Sequence, residues 1–294
     1  MAMRLNKIIL FALVLTLLVG QSCSSSQENE EQLVKITTRL GDIKIILYND
    51  TPKHKESFLE LAEEGAYDST KFYRVIKEFM VQGGDVATNA GFAKEARRLI
   101  PSEISPDHIH KKGMLGAARQ PKNRNPYQLS STQFYIVHGR KFTQKELTTD
   151  LAQLNAALSK YLYNGEHQDL LDEFKVLQDS GRTEELQERV IGLREEIEKF
   201  ENKSFENTEI TQVQIDAYTT IGGAPHLDGG YTVFGEVVEG LEVVDKIAAL
   251  EVDSLDNPLE PIYMKVTIEE VPRDSVTAWY GFVYPEIKSK EEKK

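Results

Sequence analysis

The feature that most limits the fold is a series of short strand-like runs that stops near residue 142 and resumes after residue 207. Residues 33–38 and 43–48 are rich in Val, Ile and Thr and flank Gly41-Asp42, which indicates a hairpin. Further runs, each bounded by Gly, Pro, Asn or Asp, lie at 71–76, 79–83, 113–118, 133–138, 232–237 and 264–271. The pattern predicts one barrel or sandwich whose sequence is interrupted by a different kind of segment.

Two short helices are expected within the β pattern. Thr51 can cap a helix whose first residue is Pro52, apolar residues follow at helical spacing, and Gly65 can end it. The run 241–250 has the same helical spacing.

The interruption, residues 143–207, has apolar residues spaced alternately by three and four, which indicates helices that pack against each other. We predict a hairpin of two antiparallel helices, with a shorter helical stretch between them that Ser180-Gly181 ends. The spacing is best explained by packing rather than by a cofactor site. The residues that carry it are Leu147, Leu151, Leu154, Leu158, Tyr161, Leu170, Phe174, Leu177, Leu186, Val190, Leu193, Ile197 and Phe200.

The N-terminus has the layout of an export signal. Arg4 and Lys7 precede the apolar run 8–19, which is too short to span a bilayer comfortably. The chain's single cysteine, Cys23, follows at once, and the arrangement resembles a bacterial lipoprotein signal, although Gly20 stands where a large apolar residue is usual. We therefore expect lipidation at Cys23 and a membrane-anchored protein of the cell envelope, facing the periplasm or the exterior. The alternative is an ordinary signal peptide with an incidental cysteine.

The charge of the chain excludes one class of partner. A formal net charge of −12 and a pI near 5.1 argue against nucleic-acid binding, which needs a basic surface. His108 and His110 lie close together, but without carboxylate or cysteine partners at ligand spacing they are more simply surface or capping residues. We predict no metal and no cofactor.

The most informative segment is Phe72–Asp85, which reads F-Y-R-V-I-K-E-F-M-V-Q-G-G-D and is very similar to the cyclophilin signature F-H-R-V-I-x-x-F-M-x-Q-G-G-D. Matching segments follow in the family's order as G-M-L-G-A-A-R at 113–119, S-T-Q-F-Y-I at 131–136 and L-D-G-G-Y-T-V-F-G at 227–235. The resemblance covers residues 33–271 apart from the insertion. It implies a mainly β fold: a closed eight-stranded antiparallel barrel capped by two helices, with a substrate groove on its outer face and, in this chain, an inserted helical hairpin.

The resemblance also implies an activity, peptidyl-prolyl cis-trans isomerisation, and a set of site residues. Arg74 takes the catalytic position. Proline-containing segments of exported proteins are the expected substrates, and a protein partner is expected at the insertion. The substrate-binding positions are Phe79, Met80, Gln82, Ala118, Arg119, Gln133, Tyr135, His226, Leu227 and Tyr231.

The chain departs from the family pattern at several of these positions. Tyr73 replaces the His that often precedes the catalytic arginine, Tyr135 replaces a common Phe, and Tyr231 replaces a common His. His226 stands where the best cyclosporin binders have Trp, so we expect weak inhibition by that drug. The competing function is a non-catalytic chaperone or scaffold that acts through the insertion.

These observations divide the chain into six expected regions. They are a signal peptide at 1–22, a flexible tether at 23–32, the first part of the barrel at 33–142, the helical insertion at 143–207, the second part of the barrel at 208–272 and a C-terminal extension at 273–294.

Overall fold

The computed structural model describes residues 29–285 apart from 120–124, 126 and 208. The signal peptide, Cys23 and residues 24–28 of the tether lie outside the described residues. The strands of the described part are β1 Glu30–Thr38, β2 Gly41–Leu47, β3 Lys71–Phe72, β4 Arg74–Ile76, β5 Met80–Gly83, β6 Leu99–Pro101, β7 Met114–Ala117, β8 Gln128–Ser130, β9 Phe134–Val137, β10 Val233–Glu239 and β11 Ile262–Pro272.

Nine of these strands form one sheet in the order β3-β11-β1-β2-β10-β7-β9-β5-β4. The strands at its two ends, β3 and β4, are separated in the chain only by Tyr73, whose N–H donates to the carbonyl of Gln82 at 3.0 Å. The sheet therefore curls round until it nearly closes, and counting β3 and β4 as one strand gives the predicted eight-stranded barrel. The remaining pair, β6 and β8, forms a small separate sheet that the sequence did not predict.

Alternation along the strands builds the interior of the barrel. Val34 and Ile36 of β1 face inward together with Ile43, Ile45 and Leu47 of β2, and all five are buried. Antiparallel pairing across the predicted hairpin fixes this register, with Ile36 opposite Ile43. The turn itself lies at residues 39–40, just before the predicted Gly41-Asp42.

The first strand begins earlier than expected. Residues 30–32, which we assigned to the tether, pair with residues 270–272 of β11. Glu31 is almost fully buried there, and its carboxylate accepts a hydrogen bond from the Lys55 ammonium at 2.9 Å. This correction follows from tertiary pairing, which overrides the polar character of the segment.

The helices of the described part are α1 Pro52–Glu63, α2 Gln144–Leu147, α3 Leu151–Leu162, α4 Gln168–Asp179, α5 Thr183–Gly192, α6 Arg194–Glu201, α7 Gln212–Thr220, α8 Leu241–Ala248 and α9 Arg273–Tyr280. The two helices predicted within the β pattern, α1 and α8, both exist and bury apolar side chains in the barrel core. α9 lies in the C-terminal extension and packs Val276 against Leu33 and Ile46, on the side of β1 and β2 that faces away from the core.

The chain divides into two compact units. We call residues 1–108, 113–136 and 229–294 the barrel unit, and residues 109–112 and 137–228 the helical unit. The helical unit therefore extends well beyond the predicted insertion and includes α7. The predicted division at residue 208 does not coincide with it.

The insertion is not the predicted hairpin of two long helices with a shorter stretch between them, although α4 does end at the predicted Ser180-Gly181. Five helices, α2 to α6, occupy its described residues. The chain breaks between them where helix ends are favourable: Asp150 caps α3 by accepting from the N–H of Gln153, Gly165 has φ 94°, and Gly181 has φ 68°. The apolar spacing was nevertheless correctly interpreted as packing, because Leu154, Leu193 and their neighbours form a buried core within this unit.

Within the part of the chain that the structure describes, no helix is both long enough and apolar enough to cross a membrane.

Candidate active site

A β-bulge positions Arg74. Phe72 and Val75 both point into the buried core, and two residues, Tyr73 and Arg74, lie between them. In a regular strand only one residue separates two side chains on the same face, so this stretch contains an extra residue. Gln82 on β5 faces both: its carbonyl accepts from the N–H of Tyr73, and its Cα is the register partner of Arg74. Two residues opposite one define a bulge, a feature that redirects side chains next to functional sites.

The outer face of the neighbouring strands carries other predicted site residues. On β5, Met80 and Gln82 flank Val81, whose side chain is in the core. On β9, which neighbours β5, Tyr135 lies between core residues in the same way. Because alternate residues point to opposite faces, Met80, Gln82 and Tyr135 share the outer face. Met80 and Tyr135 are nevertheless only 2% and 4% exposed, so this stretch of outer surface is covered and apolar.

Phe79 lies at the turn that leads into β5. Its N–H donates to the carbonyl of Ile76 at 3.1 Å, and Glu78 adopts φ 65° to make the turn. Phe79 itself is half-buried. The short link places it directly beside Met80, as the family pattern implies.

The guanidinium of Arg74 reaches the surface. Its side chain is 42% exposed, and its Nε donates to Oδ2 of Asp256 at 3.4 Å. Asp256 also contacts the backbone of β4, because the Asp256 carbonyl accepts a hydrogen bond from the N–H of Val75 at 2.8 Å. Asp256 thus contacts the predicted catalytic residue and its neighbour. Sequence reasoning missed it, since it lies outside every motif that resembles the family.

Tyr73 and Gln82 form a polar pair beside Arg74. The Gln82 amide donates from Nε2 to the Tyr73 hydroxyl. Burial raises the pKa of Tyr73 to about 12, and the negative charge of Asp85 acts in the same direction. Tyr73 therefore stays neutral at physiological pH and can keep its hydrogen bond with Gln82. Tyr73, which stands where the family often has His, thus supplies a polar side chain next to Arg74.

The Tyr135 ring lies against the backbone of Gly116. An added Cβ at Gly116 would be 2.3 Å from Cζ of Tyr135 and 2.4 Å from its hydroxyl oxygen. On its other side Tyr135 meets Tyr231 edge-on, with ring centroids 6.2 Å apart. A residue larger than glycine at 116 would displace the ring.

Arg119 continues this chain of contacts. Its guanidinium stacks on the Tyr231 ring, 4.4 Å from the centroid, and Nη2 donates to the carbonyl of Gly230 at 2.9 Å. Next to it, the N–H of Ala118 donates to the carbonyl of Gln133 at 2.9 Å. The Ala118 carbonyl is also used, because it accepts from the N–H of Ser130 at 2.8 Å, so a peptide could be bound only through the second lone pair of that carbonyl oxygen.

Two predicted residues, His226 and Leu227, belong to the helical unit. They form a 3₁₀ turn with Pro225, and Leu227 is buried. Burial lowers the pKa of His226, and the neighbouring His110 lowers it further. Their contribution to the groove remains a prediction.

The same unit holds a buried polar network centred on Asp228. Its carboxylate accepts from the backbone N–H of His110 at 2.9 Å, from Tyr218 at 2.6 Å and from Gln214 at 2.8 Å, and it pairs with Nδ1 of His110 at 2.8 Å. Burial alone would raise the pKa of Asp228, but these hydrogen bonds outweigh it and lower the pKa. The expectation of a surface or capping role is wrong for His110, which is fully buried as a partner of this carboxylate.

Among the described residues, no three His, Cys, Asp or Glu side chains are grouped so that they could hold a metal ion. His108 instead contacts the carboxylate of Asp50 at 2.8 Å and stacks on Tyr48.

Comparison with known proteins places these features in a family. The family model for cyclophilin type peptidyl-prolyl cis-trans isomerase/CLD matches residues 33–191 and 200–269. A protein of Staphylococcus aureus (strain USA300), named as a candidate peptidyl-prolyl cis-trans isomerase, is 27% identical over 247 residues, which cover 83% of this chain and 94% of that protein.

A second relative is longer than this chain. It is a protein of Streptococcus pyogenes serotype M6, named as a candidate bifunctional phosphatase/peptidyl-prolyl cis-trans isomerase, and it is 29% identical over 242 residues. The match covers 80% of this chain but only 38% of that protein.

Among solved structures, a cyclophilin type peptidyl-prolyl cis-trans isomerase of Cryptosporidium parvum, crystallised in the presence of the dipeptide Ala-Pro, has a TM-score of 0.46 and 20% identity. The match covers 81% of this chain and 99% of the chain in that structure. The family model alone spans well over half of the sequence, including the segments that carry Arg74, Gln82 and Tyr135. The chain therefore belongs to the family of cyclophilin-type peptidyl-prolyl cis-trans isomerases.

Proposed function

We propose that this isomerase uses Arg74 to accelerate rotation about Xaa-Pro bonds in exported proteins during their folding. The observation that carries the proposal is the position of Arg74: a charged, solvent-accessible guanidinium on a bulge, beside Gln82 and on the same side of the sheet as the apolar side chains of Met80 and Tyr135 and the half-buried Phe79. Uncatalysed rotation of these bonds takes tens to hundreds of seconds and can limit folding.

The residues supply a chemistry that suits this reaction. Rotation about a peptide bond is opposed by about 18–20 kcal/mol, because the nitrogen lone pair is shared with the carbonyl. Twisting the bond localises that lone pair on the prolyl nitrogen. A guanidinium N–H placed beside the nitrogen then hydrogen-bonds the twisted state better than the planar one, which is differential stabilisation of the transition state.

The rest of the site would bind and orient the peptide. We assign the proline ring to the apolar surface formed by Phe79, Met80 and Tyr135, and the peptide's polar groups to Gln82 and Arg119. The reaction breaks no covalent bond, so it requires neither a nucleophile nor a general base.

We further propose that the protein is held at a membrane of the cell envelope through a lipid on Cys23. The support is the sequence of residues 1–23 alone. The helical unit is proposed to contact a protein partner or client. It has its own core, and an acidic surface would favour basic partners.

The decisive experiment is a protease-free assay of prolyl-peptide isomerisation with the purified chain and its Arg74→Ala variant. We expect the substitution to remove most of kcat/KM and to leave the melting temperature unchanged, because Arg74 is partly exposed. Arg39→Ala is the matched control, since Arg39 is an exposed arginine of the same unit that also pairs with an acid, Glu260. Near wild-type turnover of Arg74→Ala would refute the assignment. An inactive wild-type chain would favour the scaffold function.

A further inference from the structure

Residues 251–259 form a small hairpin that has no part in the family motifs. Its two arms are joined by hydrogen bonds from the N–H of Asp253 to the carbonyl of Asn257 and from the N–H of Leu259 to the carbonyl of Glu251, both 2.9 Å. Val252 and Pro258 form a bridge between them. The segment is therefore an ordered element rather than an irregular connection.

The tip of this hairpin is held from inside. The Asp253 carboxylate accepts from the backbone N–H groups of Leu255 and Asn257, at 2.8 and 2.9 Å, and these bonds lower its pKa. Asp256 adopts φ 64°, a left-handed conformation that Asp and Asn tolerate better than most residues. The tip thus has one defined conformation with few ways to relax.

The tip presents an apolar side chain beside Arg74. Leu255 is 74% exposed, and the next residue, Asp256, contacts Arg74 through its carboxylate and the Val75 N–H through its carbonyl. An apolar side chain is therefore held in solvent one residue away from the contact with the catalytic arginine. A bound peptide that covers this side chain would gain the free energy of burying it, at little entropic cost because the tip is already ordered.

We propose that residues 251–259 form a wall of the substrate groove, in which Asp256 positions Arg74 and Leu255 makes an apolar contact with a substrate side chain flanking the Xaa-Pro bond. The inference rests on the proposed function of Arg74. It adds a positioning residue and a specificity contact for the same reaction.

The geometry explains how Asp256 would act. It engages Nε of Arg74, so the planar guanidinium loses rotational freedom. Among the described residues the two Nη groups make no hydrogen bond, and these are the donors that can reach a prolyl nitrogen. Fixing the plane through Nε orients the Nη donors before the substrate arrives.

The first test compares Asp256→Asn and Asp256→Gly with the wild type. Both replacements tolerate the left-handed backbone, so the hairpin should keep its shape. Asparagine keeps an acceptor for Nε, whereas glycine removes it. We expect kcat to fall roughly fivefold in Asp256→Gly, as for loss of an exposed ion pair, with little change in KM, and to fall less in Asp256→Asn.

Glu260→Gln is the control for this pair, because Glu260 also forms an exposed ion pair with an arginine but does not contact Arg74. Unchanged or increased kcat in Asp256→Gly, with an unchanged melting temperature, would overturn the positioning role. An equal loss in Glu260→Gln would show a general charge effect and overturn it too.

The second test concerns Leu255. Peptides are prepared in which leucine replaces glycine, one position at a time, at the two residues on each side of the Xaa-Pro bond. The wild type should prefer leucine at one position, and Leu255→Ser should reduce that preference about threefold to tenfold, the range expected when part of a leucine side chain is no longer buried. Val283→Ser, on a residue 81% exposed elsewhere in the barrel unit, is the control.

The outcomes separate this inference from the function on which it rests. If the wild type shows no preference for leucine at any position, or if Leu255→Ser shows the same preference, residues 251–259 are not a wall of the groove, even though the enzyme is active. An inactive wild type, or a fully active Arg74→Ala, overturns the proposed function itself.

Discussion

A methyl group at Gly116 should disturb the surface to which we assign the proline ring, without touching the substrate. The Cβ of Gly116→Ala would lie 2.3 Å from Cζ of Tyr135, whereas ordinary contacts are 3.4–4 Å, so the ring must retreat by about 1.1 Å (3.4 − 2.3). The ring has little room to do so, because Tyr135 is buried and Tyr231 packs against it. Overpacking of this kind costs about 1–3 kcal/mol, and a displacement near 1 Å can lower activity on the order of 10²-fold.

The assay is kcat/KM on a short prolyl peptide, together with the free energy of unfolding in urea. Gly192→Ala is the matched control, because an added Cβ there has no heavy atom within 4 Å and helix α5 should accept alanine readily. If Gly116→Ala kept both wild-type activity and wild-type stability, the argument that Tyr135 is locked against Gly116 would be refuted.

Four further predictions concern the helical unit and the anchor. Asp228→Ala should destabilise the protein by about 3–5 kcal/mol, because it leaves buried donors of His110, Tyr218 and Gln214 without their acceptor. The pKa of Asp228 is lowered from 3.8, so the Asp228 charge stabilises the fold fully at pH values well above 3.8 and progressively less as the pH falls through the lowered pKa. This acid dependence of the free energy of unfolding, measured by urea titration, should be absent from Asp228→Asn. Cys23→Ser should release the protein from the membrane fraction and remove the mass of the lipid. Deletion of residues 143–207, replaced by a Gly/Ser linker, should preserve turnover of a short peptide but slow the catalysed refolding of a proline-limited protein.

Each of these has an outcome that contradicts it. Asp216→Ala removes only an exposed hydrogen bond with Gln212, so it should hardly change the free energy of unfolding. An equal loss of stability in Asp216→Ala and Asp228→Ala would show that the buried network around Asp228 contributes no more than an exposed hydrogen bond. Unchanged fractionation of Cys23→Ser would exclude lipidation. If the deletion abolished turnover of the short peptide as well, the helices would be structural rather than client-binding.

The barrel could be predicted in advance because its strands follow simple alternation and its motifs are long. The runs at 71–76, 79–83 and 133–138 each contain the strands expected there, and Arg74, Gln82 and Tyr135 lie on the outer face of the neighbouring strands β4, β5 and β9. Local sequence is enough for this, since period-two patterns and turn residues act over a few positions.

Tertiary contacts determine what the sequence could not predict. The helices of the insertion share one apolar spacing, which by itself does not fix where the chain breaks, so five helices were predicted as two long ones with a shorter stretch between them. Only the break at Ser180-Gly181, which has its own turn residues, was placed correctly. Asp256 and Asp228 gain their importance from partners far away in the sequence, Arg74 and His110. The sign that could have pointed to Asp228 is its place directly after Leu227, within a segment that resembles the family.

The site also shows how a barrel can encode a groove. Outward positions of an antiparallel sheet normally meet water and are polar, yet β9 reads Phe-Tyr-Ile-Val and all four residues are buried. Burial on both faces means that other residues pack against the outer side of β9. Tyr231 contacts the Tyr135 ring edge-on, and Arg119 in turn stacks on Tyr231. The bulge then adds what a regular strand would not provide, because it places Arg74 outside the core directly opposite Gln82. Alternation is thus lost on the two strands that flank β5, through continuous burial on β9 and through the extra residue at the start of β4, and these two departures mark the surface to which we assign catalysis.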